Sequence, residues 1–132
     1  TYITKIWAAH DVGKAINPQN VEGQIEGGSL QGAGLGRYEE ILWDKEGRII
    51  NNNLGTFIIP TTLDAPDIKA IIVESPYNEG PYGAKGFAEQ PLMGVAPAIT
   101  NAIYNATGVR LNEIPATPER VWQAIQEKLR EV

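Results

Sequence analysis

The chain has 132 residues, of which 42% are hydrophobic and 20% charged, and its formal net charge is -5. This composition suits one folded domain or part of a larger one, and its acidic balance argues against a nucleic-acid-binding surface, which normally carries a basic patch. Because the sequence contains no cysteine, disulfides, thiolate zinc sites, cysteine-ligated iron–sulfur clusters and a thiol nucleophile are excluded within it.

The chain opens on a predicted strand and a predicted helix. Residues 1–9 mix β-branched and aromatic side chains, which is typical of a strand. Since the sequence begins inside this element, we expect it to be part of a longer protein. Asn17 and Pro18 predict a helix start, because asparagine suits the N-cap and proline the first helical position. The helix is expected over residues 18–35 and is unusually rich in glycine.

The middle of the chain predicts further strands. Residues 37–43 and 48–51 are expected to form a hairpin around a turn at 44–47. A short strand is expected at 55–59, where a proline stops it. Residues 68–75 carry apolar side chains on both faces, which favours a strand that is buried on both sides.

Two amphipathic helices are predicted after a loop at 76–90. The first has apolar residues at steps of three and four and ends at Gly108. Pro97 would disturb its interior, so this helix either begins near Val95 or is kinked. The second begins after Thr117, and its apolar stripe consists of Val121, Trp122, Ile125 and Leu129. The order of elements predicts an α+β fold with mixed strands, a glycine-rich helix and two C-terminal amphipathic helices.

Six of the 14 glycines lie in or at the end of the first predicted helix, where each costs about 1 kcal/mol relative to alanine. Gly28, Gly32 and Gly36 recur every four residues and therefore predict a bare groove along one face. Gln24, Gly28 and Gln31 form a second line, in which two amides that can donate and accept hydrogen bonds flank the bare backbone of this groove at Gly28. Two interpretations stay open: the groove admits a polar, planar ligand, or the glycines only allow close packing of a neighbouring element.

A second glycine-rich segment, residues 80–91, contains an acidic residue near its end. Glu89 stands just before the predicted helix, where a carboxylate is stabilised by the helix dipole or, on a flexible loop, can act as a general base. Lys85 can pair with Glu89 or reach solvent. His10 and Asp11 are interpreted as a turn or domain-contact feature, because no serine in obvious relation and no second histidine support a hydrolase triad.

Two motifs, in this order, resemble those of one known family. The first runs through His-Asp-Val-Gly at 10–13, Ile-Asn-Pro at 16–18 and Gly-Gln-Ile-Glu-Gly-Gly at 23–28, and the second is Lys-Gly-Phe-Ala-Glu-Gln-Pro at 85–91. With their separation of about sixty residues, they resemble the molybdopterin-binding large subunit of the xanthine dehydrogenase and aldehyde oxidase enzymes, the molybdenum hydroxylases. The resemblance covers most of the chain and corresponds to the C-terminal part of that subunit.

The resemblance implies a role for five residues. Glu89 would be the active-site base, which takes up a proton as oxygen attacks an electron-poor carbon of the substrate. Gln24 would contact the pterin cofactor, and the backbone of Gly86, Phe87 and Ala88 would lie near the molybdenum and its ligands. The pterin dithiolene would hold the metal, so no side chain of this chain is expected to ligate it.

The same resemblance implies the cofactors and partners. The cofactor would be molybdopterin, alone or in its cytosine dinucleotide form, and the enzyme would oxidise a small-molecule aldehyde or N-heterocycle with water-derived oxygen. Iron–sulfur clusters and FAD would lie on other domains or subunits. Residues 1–132 would be a C-terminal fragment of a molybdopterin-binding domain, with the remainder of the large subunit, an iron–sulfur subunit and a flavin subunit as partners. Alone, the fragment is expected to be inactive and to self-associate.

Departures from the family pattern leave other functions open. Ala88 stands where glycine is usual and Gln90 where proline or serine is common, so a non-catalytic interaction or assembly domain with the same fold is the alternative. A plainer alternative is an α+β module whose glycines serve only packing. No apolar run approaches the ~20 residues of a membrane helix, and no secretory leader is evident. We therefore expect a cytoplasmic protein without a membrane or nucleic-acid partner.

Overall fold

A computed structural model describes residues 2–130 and confirms the α+β architecture. Its two strands and four α-helices are β1 (Lys5–Asp11), α1 (Pro18–Arg37), β2 (Asp67–Val73), α2 (Gln90–Met93), α3 (Val95–Thr107) and α4 (Pro118–Arg130). The glycine-rich helix and both C-terminal helices form as predicted, and Thr1 of the first predicted strand lies outside the described residues. Over this range, every helix falls short of the length or the apolarity that a membrane span requires.

The two strands pair in parallel. Lys5 lies opposite Asp67 at one end and Asp11 opposite Val73 at the other. Lys5 Nζ forms an ion pair with Asp67 Oδ2 (2.5 Å), and the amide of Val12 extends the ladder by donating to the carbonyl of Val73 (3.0 Å). Because the carboxyl ends of parallel strands meet at one edge of a sheet, the segments after β1 and β2 leave the sheet side by side.

The predicted hairpin at 37–51 forms its turn but not its strands. The carboxylate of Asp44 anchors the turn by accepting hydrogen bonds from two backbone amides, and the ladder is reduced to a single bridge. The side chain of Asn51 accepts from the amide of Leu42 (2.9 Å) and donates to a carbonyl on the facing segment (2.6 Å). A side chain thus occupies backbone groups that a regular strand would pair.

Two further strand predictions are wrong. Residues 55–57 belong to a turn, because the carbonyl and side chain of Asn53 accept hydrogen bonds from their three amides, and residues 58–59 are irregular. The second error concerns β2, which was expected to be buried on both faces. Its residues Ile71 and Val73 are 38% and 43% exposed, since no described element packs on that face of the two-stranded sheet.

The glycine stripe of α1 is filled by its neighbours α2 and α3. A Cβ built on Gly28 would lie 2.8 Å from Pro91 Cβ, and one built on Gly32 would lie 2.6 Å from the carbonyl oxygen of Leu92. Gly36 packs in the same way against α3. For these three glycines the packing interpretation is correct, and the predicted ligand groove along them is wrong, because the groove is where two helices approach α1.

The core lies where α1, α3 and α4 meet. Its buried cluster consists of Ala33, Val95, Ile99, Ile103, Ala116 and Val121. Helix α3 begins at Val95, so Pro97 occupies its third position, where its missing N–H would have no helical partner. Of the two alternatives for Pro97, the later helix start is therefore correct. As predicted, Gly108 ends α3 in the left-handed conformation (φ 67°).

The predicted apolar stripe of α4 is only half right. Val121 is buried and Ile125 packs against the core cluster. Trp122 and Leu129, in contrast, are 64% and 65% exposed. Trp122 is rotated by about 100° from Val121 around the helix axis, and no described element covers Leu129, so both side chains remain in contact with solvent.

Candidate functional site

Polar groups of the two sequence motifs collect where the parallel strands end. The carboxylate of Asp11 accepts hydrogen bonds from the amides of Gly13 (2.9 Å) and Ser75 (3.2 Å) and from Lys85 Nζ (2.5 Å). The hydrogen bond from Lys85 is the largest cause that lowers the pKa of Asp11. The structure thus resolves the choice left open for Lys85, which pairs with Asp11 and not with Glu89. The turn role expected of Asp11 is confirmed.

The loop after β2 docks on the turn after β1 through backbone hydrogen bonds. The amide of Lys85 donates to the carbonyl of Val12 (3.0 Å), and the amide of Lys14 donates to the carbonyl of Gly83 (2.8 Å). Gly13 lies between them with a positive φ of 67°, and a Cβ on it would collide with the carbonyl oxygen of Gly83. Only glycine fits this position, so the two segments are held in one register.

The three residues expected near the metal, 86–88, come directly after Lys85 in the chain. Gly86 and Ala88 are exposed, and no atom lies within 4 Å of a Cβ built on Gly86. Phe87 is half-buried, with its ring centroid 5.6 Å from that of His10 at the end of β1. Burial lowers the pKa of His10 below its usual value. The backbone of this segment therefore stands open to solvent while one aromatic side chain fixes it to the sheet.

A side-chain contact from α1 also joins the two motifs. Gln24 Nε2 on α1 donates a hydrogen bond to the carbonyl oxygen of Ala88 (2.5 Å). The amide oxygen of Gln24 has no hydrogen-bond donor among residues 2–130, so it can still accept one. The structure therefore brings together Gln24 and the segment before Glu89, two parts of the predicted site that are separated by more than sixty positions in the sequence.

The face of α1 that is open to solvent lies next to Gln24. It does not lie along Gly28, Gly32 and Gly36, where the sequence predicted a bare groove. A Cβ built on Gly23 or Gly27 meets no atom within 4 Å, and these two glycines are one helical turn apart. Gln31 is exposed, but Gly28, which was expected to lie between the two glutamine side chains in an open groove, is buried against α2. A flat group can therefore approach the backbone of α1 at its second and third turns, where Gly23 and Gly27 lie.

Glu89 occupies the position immediately before α2, as predicted. Its side chain is exposed and does not cap the helix. Within the described part of the chain the carboxylate has neither a hydrogen-bond donor nor an ion-pair partner. The dipole of α2 stabilises the Glu89 carboxylate little, because α2 has only four residues. A substantial helix dipole needs the aligned peptides of a longer helix. Among residues 2–130, the Glu89 carboxylate therefore stands exposed and unpartnered.

A large concavity of the described chain lies elsewhere. It is a groove of about 700 Å³ between β1 and α3, and its walls are mostly apolar. His10 and Pro91 stand at the end nearest to Glu89. Because few polar groups converge in this groove, we place the candidate site at Gln24 and the segment that leads to Glu89.

Asp11 and Lys85 are not among the site residues that the two motifs predicted. Both belong to the motifs that were singled out, but their partnership depends on the parallel pairing of β1 with β2. The signal that could have found it is the position of Asp11 at the carboxyl end of one predicted strand and of the Lys85 segment after the other. Loops at that edge of a parallel sheet are neighbours.

The chain matches known proteins in sequence. Residues 1–66 match the family model of the molybdopterin cofactor-binding domain. The putative xanthine dehydrogenase molybdenum-binding subunit of Escherichia coli strain K12 is 39% identical over 122 residues, which are 92% of this chain and 16% of that subunit.

Solved structures give the same result. The chain is similar to quinoline 2-oxidoreductase from Pseudomonas putida 86 (TM-score 0.89, 37% identity, 96% of this chain and 16% of that chain). It is also similar to the aldehyde oxidoreductase from Desulfovibrio desulfuricans (TM-score 0.84, 38% identity, 93% of this chain and 13% of that chain). The chain spans between 13% and 16% of the length of these relatives.

Proposed function

This chain belongs to the molybdopterin-binding family of xanthine dehydrogenase and aldehyde oxidoreductase large subunits, and on that premise we propose that it carries the active-site base, Glu89, of a molybdenum hydroxylase. The enzyme oxidises an aldehyde or an N-heterocycle with water-derived oxygen. The observation that carries this proposal is the hydrogen bond from Gln24 to Ala88. It places the amide expected to contact the pterin beside the segment that leads to the expected base.

The residues present fit a large, flat, polar cofactor. The backbone is bare and open at Gly23, Gly27 and Gly86, and the free amide oxygen of Gln24 can accept a hydrogen bond from the cofactor. Gln24 and the backbone of residues 86–88 would hold molybdopterin, alone or as its cytosine dinucleotide. When bound, the molybdenum supplies two-electron redox chemistry.

The base loop, residues 86–89, presents Glu89 for proton transfer. A general base must be free of other partners and must be held within reach of the proton that it takes. An ion pair would stabilise the charged form of the carboxylate and weaken it as a base, and Lys85 forms its ion pair with Asp11 instead. Gln24 fixes the carbonyl of the residue immediately before Glu89. Glu89 would thus hold the proton at a carboxylate oxygen and release it to solvent, to which it is exposed.

The surface of the chain supports partners of the expected kind. The apolar groove between β1 and α3 and the exposed apolar side chains of residues 41–63 are suited to contact with the remainder of the large subunit. Electron transfer away from the molybdenum would use iron–sulfur clusters, which need cysteine ligands, and this chain has none. We place the clusters and FAD on other domains or subunits.

Reconstitution tests the proposal. We expect the 132-residue chain alone to reduce no artificial electron acceptor with an aldehyde or an N-heterocycle. The same chain, assembled with the remaining parts of the large subunit and an iron–sulfur subunit and loaded with molybdopterin, should do so. Dye-reduction rates and metal analysis measure both states.

Two results would contradict the proposal. Activity of the chain alone would show that its own residues suffice. A fully molybdenum-loaded assembly without turnover on either substrate class would favour the alternative function, a non-catalytic assembly domain. The exposed methyl group of Ala88, where the family pattern usually has glycine, would then be the first candidate cause of the missing turnover.

A further inference from the structure

The base loop is held at both of its ends. At the far end, Gln24 binds the carbonyl of Ala88. At the near end, Lys85 binds Asp11 through its side chain and Val12 through its amide. Between these anchors the Phe87 ring packs against His10, but the backbone is bare at Gly86, where no atom lies within 4 Å of a built Cβ. The position of Glu89 therefore depends on the two anchors together with this one ring contact.

Asp11 is a rigid partner for Lys85. One of its carboxylate oxygens is already fixed by the amides of Gly13 and Ser75, which belong to the segments that follow β1 and β2. The other oxygen is left for Lys85 Nζ. A charge-assisted hydrogen bond to a carboxylate that is held in this way ties the loop to the ends of both strands.

We propose that the Asp11–Lys85 ion pair positions the base, so that both residues are positioning residues that act on the reaction through Glu89. This inference rests on the proposed role of Glu89. Without the ion pair, the near anchor is reduced to backbone hydrogen bonds, and the base loop samples conformations in which Glu89 is misplaced. A misplaced base slows the chemical step more than it weakens substrate binding.

The ion pair can be broken without unfolding the chain. The side chains of Lys85 and Asp11 are 35% and 37% exposed, and ion pairs that are partly screened by solvent contribute little to overall stability. A matched control stands next to it, since Lys14 pairs with Glu74 (2.8 Å) at 53% and 40% exposure and does not contact the base loop.

The first test measures the mobility of the base loop in the full chain. In Lys85→Met, backbone order parameters from ¹⁵N relaxation at residues 86–88 should fall below about 0.6, while those of β1 stay near 0.85. In Lys14→Met the order parameters of residues 86–88 should equal those of the wild type. In Lys85→Arg, which keeps the positive charge, they should also stay at wild-type values. Unchanged order parameters in both Lys85→Met and Asp11→Asn would overturn the proposal, because one of these variants removes the cation and the other the anion.

The second test measures catalysis in the molybdenum-loaded assembly. Lys85→Met and Asp11→Asn should each lower kcat by about tenfold with KM and molybdenum content unchanged. The double variant should be no slower than either single variant, because both remove the same interaction. A mobile loop with unchanged kcat would overturn the positioning role. An inactive wild-type assembly whose loop still loosens in Lys85→Met would support the anchor and contradict the proposed function, so the two failures are distinguishable.

Discussion

Glu89→Gln in the molybdenum-loaded assembly is expected to lower kcat by about 10²- to 10⁴-fold, the usual contribution of a general base. Glutamine keeps the size of the side chain but cannot take up the proton. The side chain is exposed and has no partner among the described residues, so folding and cofactor binding should be unaffected. Steady-state dye reduction and analysis of molybdenum and pterin content measure the two properties separately.

Glu79→Gln provides the matched control for this variant. Glu79 is an exposed carboxylate in the same long segment between β2 and α2, and its replacement should leave kcat unchanged. If Glu89→Gln turned over at a rate close to wild type, Glu89 would lose its assigned role. A loss of cofactor in Glu89→Gln would also count against the account, because it would mean that the side chain supports binding and not only proton transfer.

The second large effect is expected in the packing of α1. Gly32→Ala should lower the free energy of unfolding by about 1–3 kcal/mol, the usual cost of overpacking. Its Cβ would lie 2.6 Å from the carbonyl oxygen of Leu92 and 2.8 Å from Val95 Cβ, and neither atom can move away without shifting a neighbouring helix. Urea unfolding of the full chain measures the change.

Gly27→Ala is the same substitution on the open face of α1 and should have the opposite sign. No atom lies within 4 Å of a Cβ built there, so only helix propensity acts, and alanine should stabilise the chain by up to about 1 kcal/mol. If both variants destabilised the chain equally, the distinction between a packed stripe and an open face of α1 would be wrong.

Local signals were enough to predict the helices. Asn17 caps α1 by accepting a hydrogen bond from the amide of Asn20 (3.1 Å), and Pro18 occupies the first position, as the sequence indicated. Gly108 likewise ends α3 by adopting a positive φ. These signals depend on one residue and its immediate neighbours, so they can be read without knowing the rest of the fold.

The strands of the predicted hairpin and the glycine face of α1 could not be predicted in the same way, although the strands β1 and β2 were predicted. The side chain of Asn51 replaces ladder hydrogen bonds of the expected hairpin, and this competition depends on the path of the facing segment. Spacing showed that Gly28, Gly32 and Gly36 share one face of α1, but not that α2 and α3 cover that face. That coverage depends on the tertiary structure, and because of it the open backbone of α1 is at Gly23 and Gly27.

The sequence predicted residues for the candidate site but not the contacts between them. Glu89 and Gln24 came from the resemblance of two motifs to a known family, and the sequence gives no distance between them. The hydrogen bond from Gln24 to Ala88 and the ion pair of Lys85 with Asp11 appear only when the parallel sheet places the two motifs at one edge. The first contact holds a backbone carbonyl of the base loop, and the second holds the side chain of the residue that precedes the loop. Composition and spacing describe neither contact.

A crystal structure of the assembled enzyme with molybdopterin bound would test the central assignment most directly. We expect the cofactor to contact the side chain of Gln24 and the backbone of residues 86–88, and the carboxylate of Glu89 to be the one nearest to the metal among the carboxylates of this chain. Cofactor density away from Gly23 and Gly27 on α1, or a Glu89 side chain that points away from the metal, would contradict it.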